Sequence, residues 1–501
     1  MIHRPLILSA SIIVATTFVA YSAGVGVDRL LGGNEVAGSA VVALVVAGLF
    51  GLRPAHGLTS FALVVLFADT VEWWSGSNLP YVDESLILLL GLTLLTVHRS
   101  RLTLVRPGWR EALLLSVFVL AIVSSLSSDV AADVWVPGLG LLAKSFAFFY
   151  LTAMLRVEYD DVRPILGVLF AVAVLIVAIG AVEFLARDPV RDFFHLPAYA
   201  RERGGISVVT SLFMHPALYG WMGVFAGLGL IARFAVLGDR WALVLGTLFS
   251  GASLLSGRRA PILGLMAGLS ALIARQHASR LSLRRTVGPI APAVVLVALV
   301  ALPVLGRLFG ETLAEYVEPP ELIAEVLSED PDPAVLVPMA PRNALYVGSV
   351  AAARDYFPLG AGLGQFGSHM SRVQYSPVYA EYGLNRIWGL SERHPMAITD
   401  TFWPMILGET GVFGLVAMFA FLMVVLRDLW RLAGQSMAPA SRAFVLGALL
   451  VYVDALARSL TSGVFVAPPI AYFVFGAAGL ALAVGRTEGP HSATVEEAPP
   501  S

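Results

Sequence analysis

The chain has 501 residues, 57% of them hydrophobic and 14% charged, with a formal net charge of −2. So apolar a composition excludes a soluble globular protein and defines a polytopic membrane protein, in which the placement of arginine matters more than the net charge. The absence of cysteine excludes disulfide staples in outer loops and any thiolate nucleophile or metal ligand.

A window of about 20 apolar residues per span predicts an all-α bundle of about 12–14 transmembrane helices. They fall near 5–27, 35–51, 57–74, 82–97, 110–127, 137–155, 163–186, 208–234, 240–256, 258–276, 286–306, 400–426, 442–463 and 467–485. The first run is longer than a signal-peptide core and is expected to stay as a span, although Ala20–Ala23 faintly resembles a cleavage site. The chain divides into spans one to eleven over 1–306, a long loop with short helices over 307–399, spans twelve to fourteen over 400–485, and a disordered tail over 486–501.

Arginines set the orientation. Arg99, Arg101, Arg106 and Arg110, then Arg156 and Arg163, Arg275 and Arg280, and Arg427, Arg431 and Arg442 fall in loops on one side. That side is expected to be the cytoplasm and to hold both termini, with the long loop outside. Arg187, Arg191, Arg201, Arg203, Arg258, Arg259 and Arg342 then lie outside, against the topology signal. Such a cluster suggests an anionic ligand, because the guanidinium fork suits phosphate.

Several residues have two readings. Arg258 and Arg259, in Ser-Gly-Arg-Arg-Ala-Pro, either clamp a diphosphate or snorkel to headgroups. Arg342 opens an amphipathic helix before the Gly-rich Pro-Leu-Gly-Ala-Gly-Leu-Gly-Gln-Phe and is either a ligand contact or a solvated loop residue. Arg203 is open in the same way. Lys144, the sole lysine, meets phosphate or snorkels. Asp400 is a general base, a helix N-cap, or both, and His394 competes for the role of base. Glu409, in Gly-Glu-Thr-Gly-Val-Phe-Gly, is expected to be hydrogen-bonded inside a packed helix. Asp330-Pro331-Asp332 reads as a stiff linker rather than a metal motif, and neither a metal-ligand cluster nor a P-loop is present.

Three blocks, at 256–261, at Arg342 through 358–366, and at Asp400 through 408–414, stand in this order around one long loop. Together they resemble the O-antigen ligase and O-antigen polymerase superfamily over roughly 200–430. The resemblance implies a GT-C-like fold and a metal-independent, cofactor-free inverting glycosyltransferase on the outer face of the bacterial cytoplasmic membrane. Its substrate would be an undecaprenyl-diphosphate-linked glycan, and its partners membrane lipid and a chain-length regulator or export complex, with no nucleic acid. It implies that Arg259 and Arg342 match the family's arginines, joined at the diphosphate by Arg258, Arg203 and Lys144. The family's ligase His-Asn pair falls on Asp400-Thr401, and Asp at this place favours a polymerase of O-antigen or exopolysaccharide repeat units. A ligase using His394 is the alternative, a lipid-linked oligosaccharide flippase is a reading of another class, and an export-complex scaffold is a third.

Overall fold

The protein is described here from a computed structural model covering residues 35–77, 79–103, 107–196, 202–203, 206–278 and 339–489, with seven isolated positions between 16 and 24. In chain order the helices are α1 (Glu35–Leu52), α2 (Pro54–Ser75), α3 (Val82–Thr96), α4 (Trp109–Ser127), α5 (Ala132–Ala153), α6 (Tyr159–Leu185) and the short α7 (Arg187–Phe193). A two-residue hairpin, β1 (Glu202–Arg203) with β2 (Ile206–Ser207), precedes α8 (Pro216–Leu237), α9 (Arg240–Ser253) and α10 (Ala260–Ala278). After the long loop enters the described residues come α11 (Pro341–Asp355), α12 (His369–Val373), α13 (Val378–Glu381), α14 (Trp403–Leu432), α15 (Pro439–Arg458) and α16 (Ile470–Glu488). The class is all-α, and among the described residues eight helices are long and apolar enough to cross a membrane.

Every span expected within the described residues corresponds to a helix, with shifted ends. The spans at 286–306 and, for the most part, 5–27 lie outside those residues, as do Asp330–Asp332. The span expected at 208–234 starts only at Pro216, whose ring suits a first helical position, so His215 caps the helix instead of lying inside it. Asp400 is not an N-cap: α14 begins at Trp403 after Phe402. The start of the tail expected over 486–501 is instead helix, since Arg486 and Glu488 belong to α16, where Glu488 accepts from Tyr159 N at 2.7 Å and Arg486 donates to the Ala153 carbonyl, and 490–501 lie outside the described residues.

Two apolar clusters hold the bundle. One gathers Phe146 and Phe149 of α5 with Phe421 of α14 and Phe475 of α16. The other gathers Phe61 of α2, Phe148 of α5 and Tyr472 of α16, with Phe61 and Phe148 stacked at 4.3 Å. Successive residues of α5 therefore serve both clusters, and burying such side chains contributes roughly 1.5–3 kcal/mol each when fully buried in water-soluble proteins. Between helices in lipid the gain comes instead from close packing.

Contacts define two ends. At one, Arg101 pairs with Asp161 at 3.8 Å, Arg110 with Asp428 at 3.6 Å, and Arg275 lies over Trp430 at 5.8 Å. These are the loops that the arginine pattern assigned to one side, and they meet. At the opposite end sit the N-termini of α3, α5, α8, α10, α14 and α16, and the segment 339–402 folds there around a small core of Leu345, Phe366, Tyr379 and Leu384.

The decisive local feature is a break in α14. Gly411 leaves helical geometry at φ 66° and ψ −169°, which frees carbonyls and leaves an interruption that lipid cannot satisfy. The Gly-rich turn at 358–367 fills it. Ala361 N donates to Gly408 O at 2.8 Å and Gly362 N to Glu409 O at 3.1 Å, while Ser124 Oγ of α4 approaches Glu409 O at 2.8 Å. The Glu409 carboxylate, 3% exposed, accepts from Gly364 N at 2.8 Å and Phe366 N at 3.2 Å. A Cβ on Gly411 would collide with the Pro358 carbonyl, and one on Gly360 with the backbone around Gly411.

The interlock sets a prediction. Gly411→Ala combines a disfavoured positive φ with a backbone collision, so it should destabilise the protein by at least about 1–3 kcal/mol. Detergent-solubilised protein should melt measurably lower by intrinsic fluorescence, whereas Gly251→Ala, at a position with open space, should not. Equal melting of the two variants would contradict the interlock.

Candidate functional site

Arg342 is the second residue of α11, and Asp400 lies in a turn, its N–H bonded to Ala397 O at 3.1 Å, just ahead of α14. The two meet: Arg342 Nη2 donates to Asp400 Oδ2 at 2.9 Å, with the side chains 35% and 41% exposed. At that exposure the pair adds about 0–1 kcal/mol to stability, so its main effect is to orient both groups. The guanidinium has five donors and spends one here. Its Nε is buried without a hydrogen-bond partner among the described residues.

The C-terminal end of α15 ties the surrounding elements together. Tyr346, one turn along α11, donates to Leu460 O at 2.8 Å, and Trp403 of α14 donates to Ser459 Oγ at 2.9 Å. Below them Arg458 and Asp454 form a buried pair at 2.7 Å. Gly264 of α10 packs so tightly on that pair that a Cβ would overlap it, which places the start of α10, with Arg258 and Arg259 just ahead of it and at its first turn, at the same end.

Arg258 Nη2 lies 3.1 Å from Nε2 of His215, whose Nδ1 accepts from Ala217 N at 3.2 Å. A neutral imidazole has one donor and one acceptor nitrogen, so it satisfies either the helix cap or the guanidinium but not both. Desolvation by its packed neighbours, although part of the ring stays exposed, and then the Arg258 charge push His215 down to about 4. Anchoring this region, Glu183 at the end of α6 accepts from Arg191 at 2.9 Å and from the N–H groups of Thr210 and Ser211 at 3.0 Å and 2.6 Å.

Of the remaining expected site residues, Lys144 has its partners elsewhere. Lys144 is held by Asp83 at 2.8 Å and Glu84 at 2.7 Å, and Tyr472 donates to Asp83 at 2.6 Å. Lys144 is thus committed to these two carboxylates. His394 is an exposed loop residue whose ring centroid is 6.5 Å from that of Trp388. Arg203 has its backbone in β1, and its side chain lies outside the described residues, as does Arg201.

A cavity of about 600 Å³ opens between α2, α3, α5, the first half of α14 and the loop after α15, within the range of about 300–1,000 Å³ usual for small-molecule sites. Asp69, Glu72, Asp83, Glu84, Lys144 and Glu409 line it, and so do Thr399 and Thr401, the neighbours of Asp400. Sequence reasoning missed the carboxylates of α2 and α3. The available signal was Val-Asp-Glu opening a short span, where acidic residues favour a helix N-terminus, together with a single lysine in another span to receive them. No group of three or more His, Cys, Asp or Glu poised to hold a metal occurs among the described residues.

A helical bundle with eight helices of membrane-crossing length and apolarity is a multi-pass membrane protein. No protein-family model matches the chain, and no curated protein matches its sequence.

The depressed His215 basicity has a testable sign. Between about pH 6.5 and 4 the folded state binds fewer protons than the unfolded state, so the His215 contribution is complete above pH 6.5 and lost as pH falls toward 4. Wild type should lose more melting temperature from pH 7 to pH 5 than His215→Gln does. An equal drop in both would show that the ring is not held neutral.

Proposed function

We propose that this protein is a membrane glycosyltransferase that polymerises undecaprenyl-diphosphate-linked oligosaccharide repeat units at the end of the bundle carrying Arg342 and Asp400. The observation that carries the reading is the 2.9 Å contact between these two residues, which sets a carboxylate beside a guanidinium with donors to spare. In the proposed step Asp400 takes the proton of an acceptor hydroxyl, the oxygen attacks the sugar C1, and the C1–oxygen bond to the diphosphate breaks. The electron pair leaves on the diphosphate, where Arg342, Arg258 and Arg259 offset the growing charge. Arg342 thus bridges base and leaving group, and the reaction draws on the substrate's own diphosphate for its driving force. The bacterial inner membrane, a GT-C-like fold and an outward-facing site belong to the same proposal.

The ligase alternative leans on His394, an exposed loop residue, whereas Asp400 is the group paired with Arg342. A transporter reading gains from one observation, the break of α14 beside a charge-lined cavity, since transporters build substrate sites from interrupted helices. Three facts favour transfer over transport: the break is filled by the 358–367 turn, its carbonyls and Glu409 are hydrogen-bonded, and glycines pack the junction.

Purified protein in liposomes with an undecaprenyl-diphosphate tetrasaccharide should yield longer lipid-linked chains and free undecaprenyl diphosphate. Asp400→Asn and Arg342→Ala should each lower the rate by about 10²-fold or more, with Arg342→Lys between them and wild type. Flux of the tetrasaccharide lipid across the bilayer without elongation would replace the enzyme by the transporter. Transfer to a non-lipid-linked acceptor would favour the ligase.

A further inference from the structure

Three consecutive residues at the end of α15 each hold one of the elements that carry the proposed site. Leu460 O accepts from Tyr346 of α11 at 2.8 Å, one turn along from Arg342. Ser459 Oγ accepts from Trp403 of α14 at 2.9 Å, just after Asp400. The third is Arg458, whose Nε donates to Asp454 Oδ1 at 2.7 Å. Against this pair lies Gly264 of α10, the helix into which Arg258 and Arg259 lead.

Packing alone does not account for the pair. Asp454 is 1% exposed and Arg458 4%, both in a helix of membrane-crossing length and apolarity, where ionisable side chains are expensive and mark function. Their contact is single: Asp454 Oδ2 and Arg458 Nη2 are buried with no hydrogen-bond partner among the described residues. Replacing a buried ion pair by apolar side chains of similar volume is often neutral or stabilising, so a half-satisfied pair adds little to stability. What it supplies is direction. The bonded Nε and Oδ1 form a notch, where a Cβ on Gly264 would overlap Oδ1 and lie 2.7 Å from Nε. A one-residue turn of α10, about 100°, would bring Leu263 or Leu265 against the charges instead of the glycine. α10 is thereby keyed in rotation to α15.

We propose that Asp454 and Arg458 are positioning residues for the transfer: by keying α10 to the turn that also holds α11 and α14, they set Arg258 and Arg259 in register with Arg342 and Asp400. The inference rests on the sugar-transfer reading and extends it to two buried residues that touch neither substrate nor reacting atoms. A diphosphate gripped from two helices is gripped well only when their spacing is right, since a misplacement of about 1 Å can cost about 10²-fold in rate.

Positioning and stability separate in Asp454→Leu/Arg458→Met, where apolar side chains of similar size replace both charges and the purified protein should melt at or above the wild-type temperature. Its kcat/KM for elongation of an undecaprenyl-diphosphate tetrasaccharide should nevertheless fall about tenfold or more, and its Kd for undecaprenyl diphosphate should rise by a similar factor. Added to Arg258→Ala/Arg259→Ala, the same pair of substitutions should cost about twofold or less, because the groups it positions are gone. Gly264→Ala, which keeps both charges but pushes α10 off them, should weaken diphosphate binding in the same direction, and Gly251→Ala should not. A charge-free variant that melts well below wild type would make the pair a stabilising contact and overturn the assignment. So would wild-type kcat/KM and Kd at a matched melting temperature, or a loss that adds in full to that of Arg258→Ala/Arg259→Ala. If chains never elongate yet the charge-free variant binds undecaprenyl diphosphate more weakly, the sugar-transfer reading fails while the positioning role stands. If chains elongate unchanged in that variant, the positioning role fails and the polymerase reading remains. If wild type neither elongates chains nor binds undecaprenyl diphosphate, both fail.

Discussion

The structure depends on the way a Gly-rich turn closes a broken helix. An apolar helix interrupted at Gly411 exposes backbone carbonyls that have no water to bond, and the turn at 358–367 supplies N–H groups to Gly408 O, Glu409 O and the Glu409 carboxylate. Each half requires the other. The turn would be an unsatisfied coil without Glu409, and the helix could not break at Gly411 without the turn. Because the segment 339–402 is fastened there, the position of Arg342 relative to Asp400 follows from the same contacts. The bonds of Tyr346 and Trp403 to the end of α15 fix the angle at which α11 lies.

Charge is partitioned along the bundle and again within one end of it. The arginines of the connecting loops gather at one end, several in ion pairs with carboxylates or over aromatic rings. At the other end Arg342 and Arg258 stand beside Asp400 and His215, while Asp69, Glu72, Asp83 and Glu84 face a separate cavity around Lys144. Ionisable groups at the edge of hydrocarbon, an otherwise expensive feature, are met here by partners: Arg342 by Asp400, Arg258 by His215, and Lys144 by Asp83 and Glu84.

Much of this was legible in the sequence because membrane solvation writes itself into hydropathy: the apolar runs became helices, and the arginine-bearing loops met at one end. The pairing of the motif blocks was also visible in outline, since Arg342 and Asp400, 58 positions apart, do come together. What sequence periodicity cannot register is contact between distant segments. Glu409 was expected to be bonded inside a packed helix, and it is, but the break at Gly411 and the turn that fills it arise from glycine positions whose meaning depends on each other. For Lys144 the sequence offers phosphate or snorkelling and hides its actual partners, which open a helix some 60 positions earlier. Of the two roles the sequence leaves open for Asp400, base and cap, the cap fails because the helix starts later and the side chain pairs with Arg342.

The central claim is that the end bearing Arg342 and Asp400 faces away from the cytoplasm and holds a lipid diphosphate. The cysteine-free chain lets a single engineered thiol report this directly. His394→Cys, at an exposed position in the folded loop, should react with a membrane-impermeant maleimide in intact cells, while Arg431→Cys should react only after permeabilisation; undecaprenyl diphosphate should raise the melting temperature of the purified wild type but not that of Arg342→Ala. Labelling of Arg431→Cys but not His394→Cys in intact cells, or stabilisation of Arg342→Ala by the lipid diphosphate equal to that of wild type, would contradict the account.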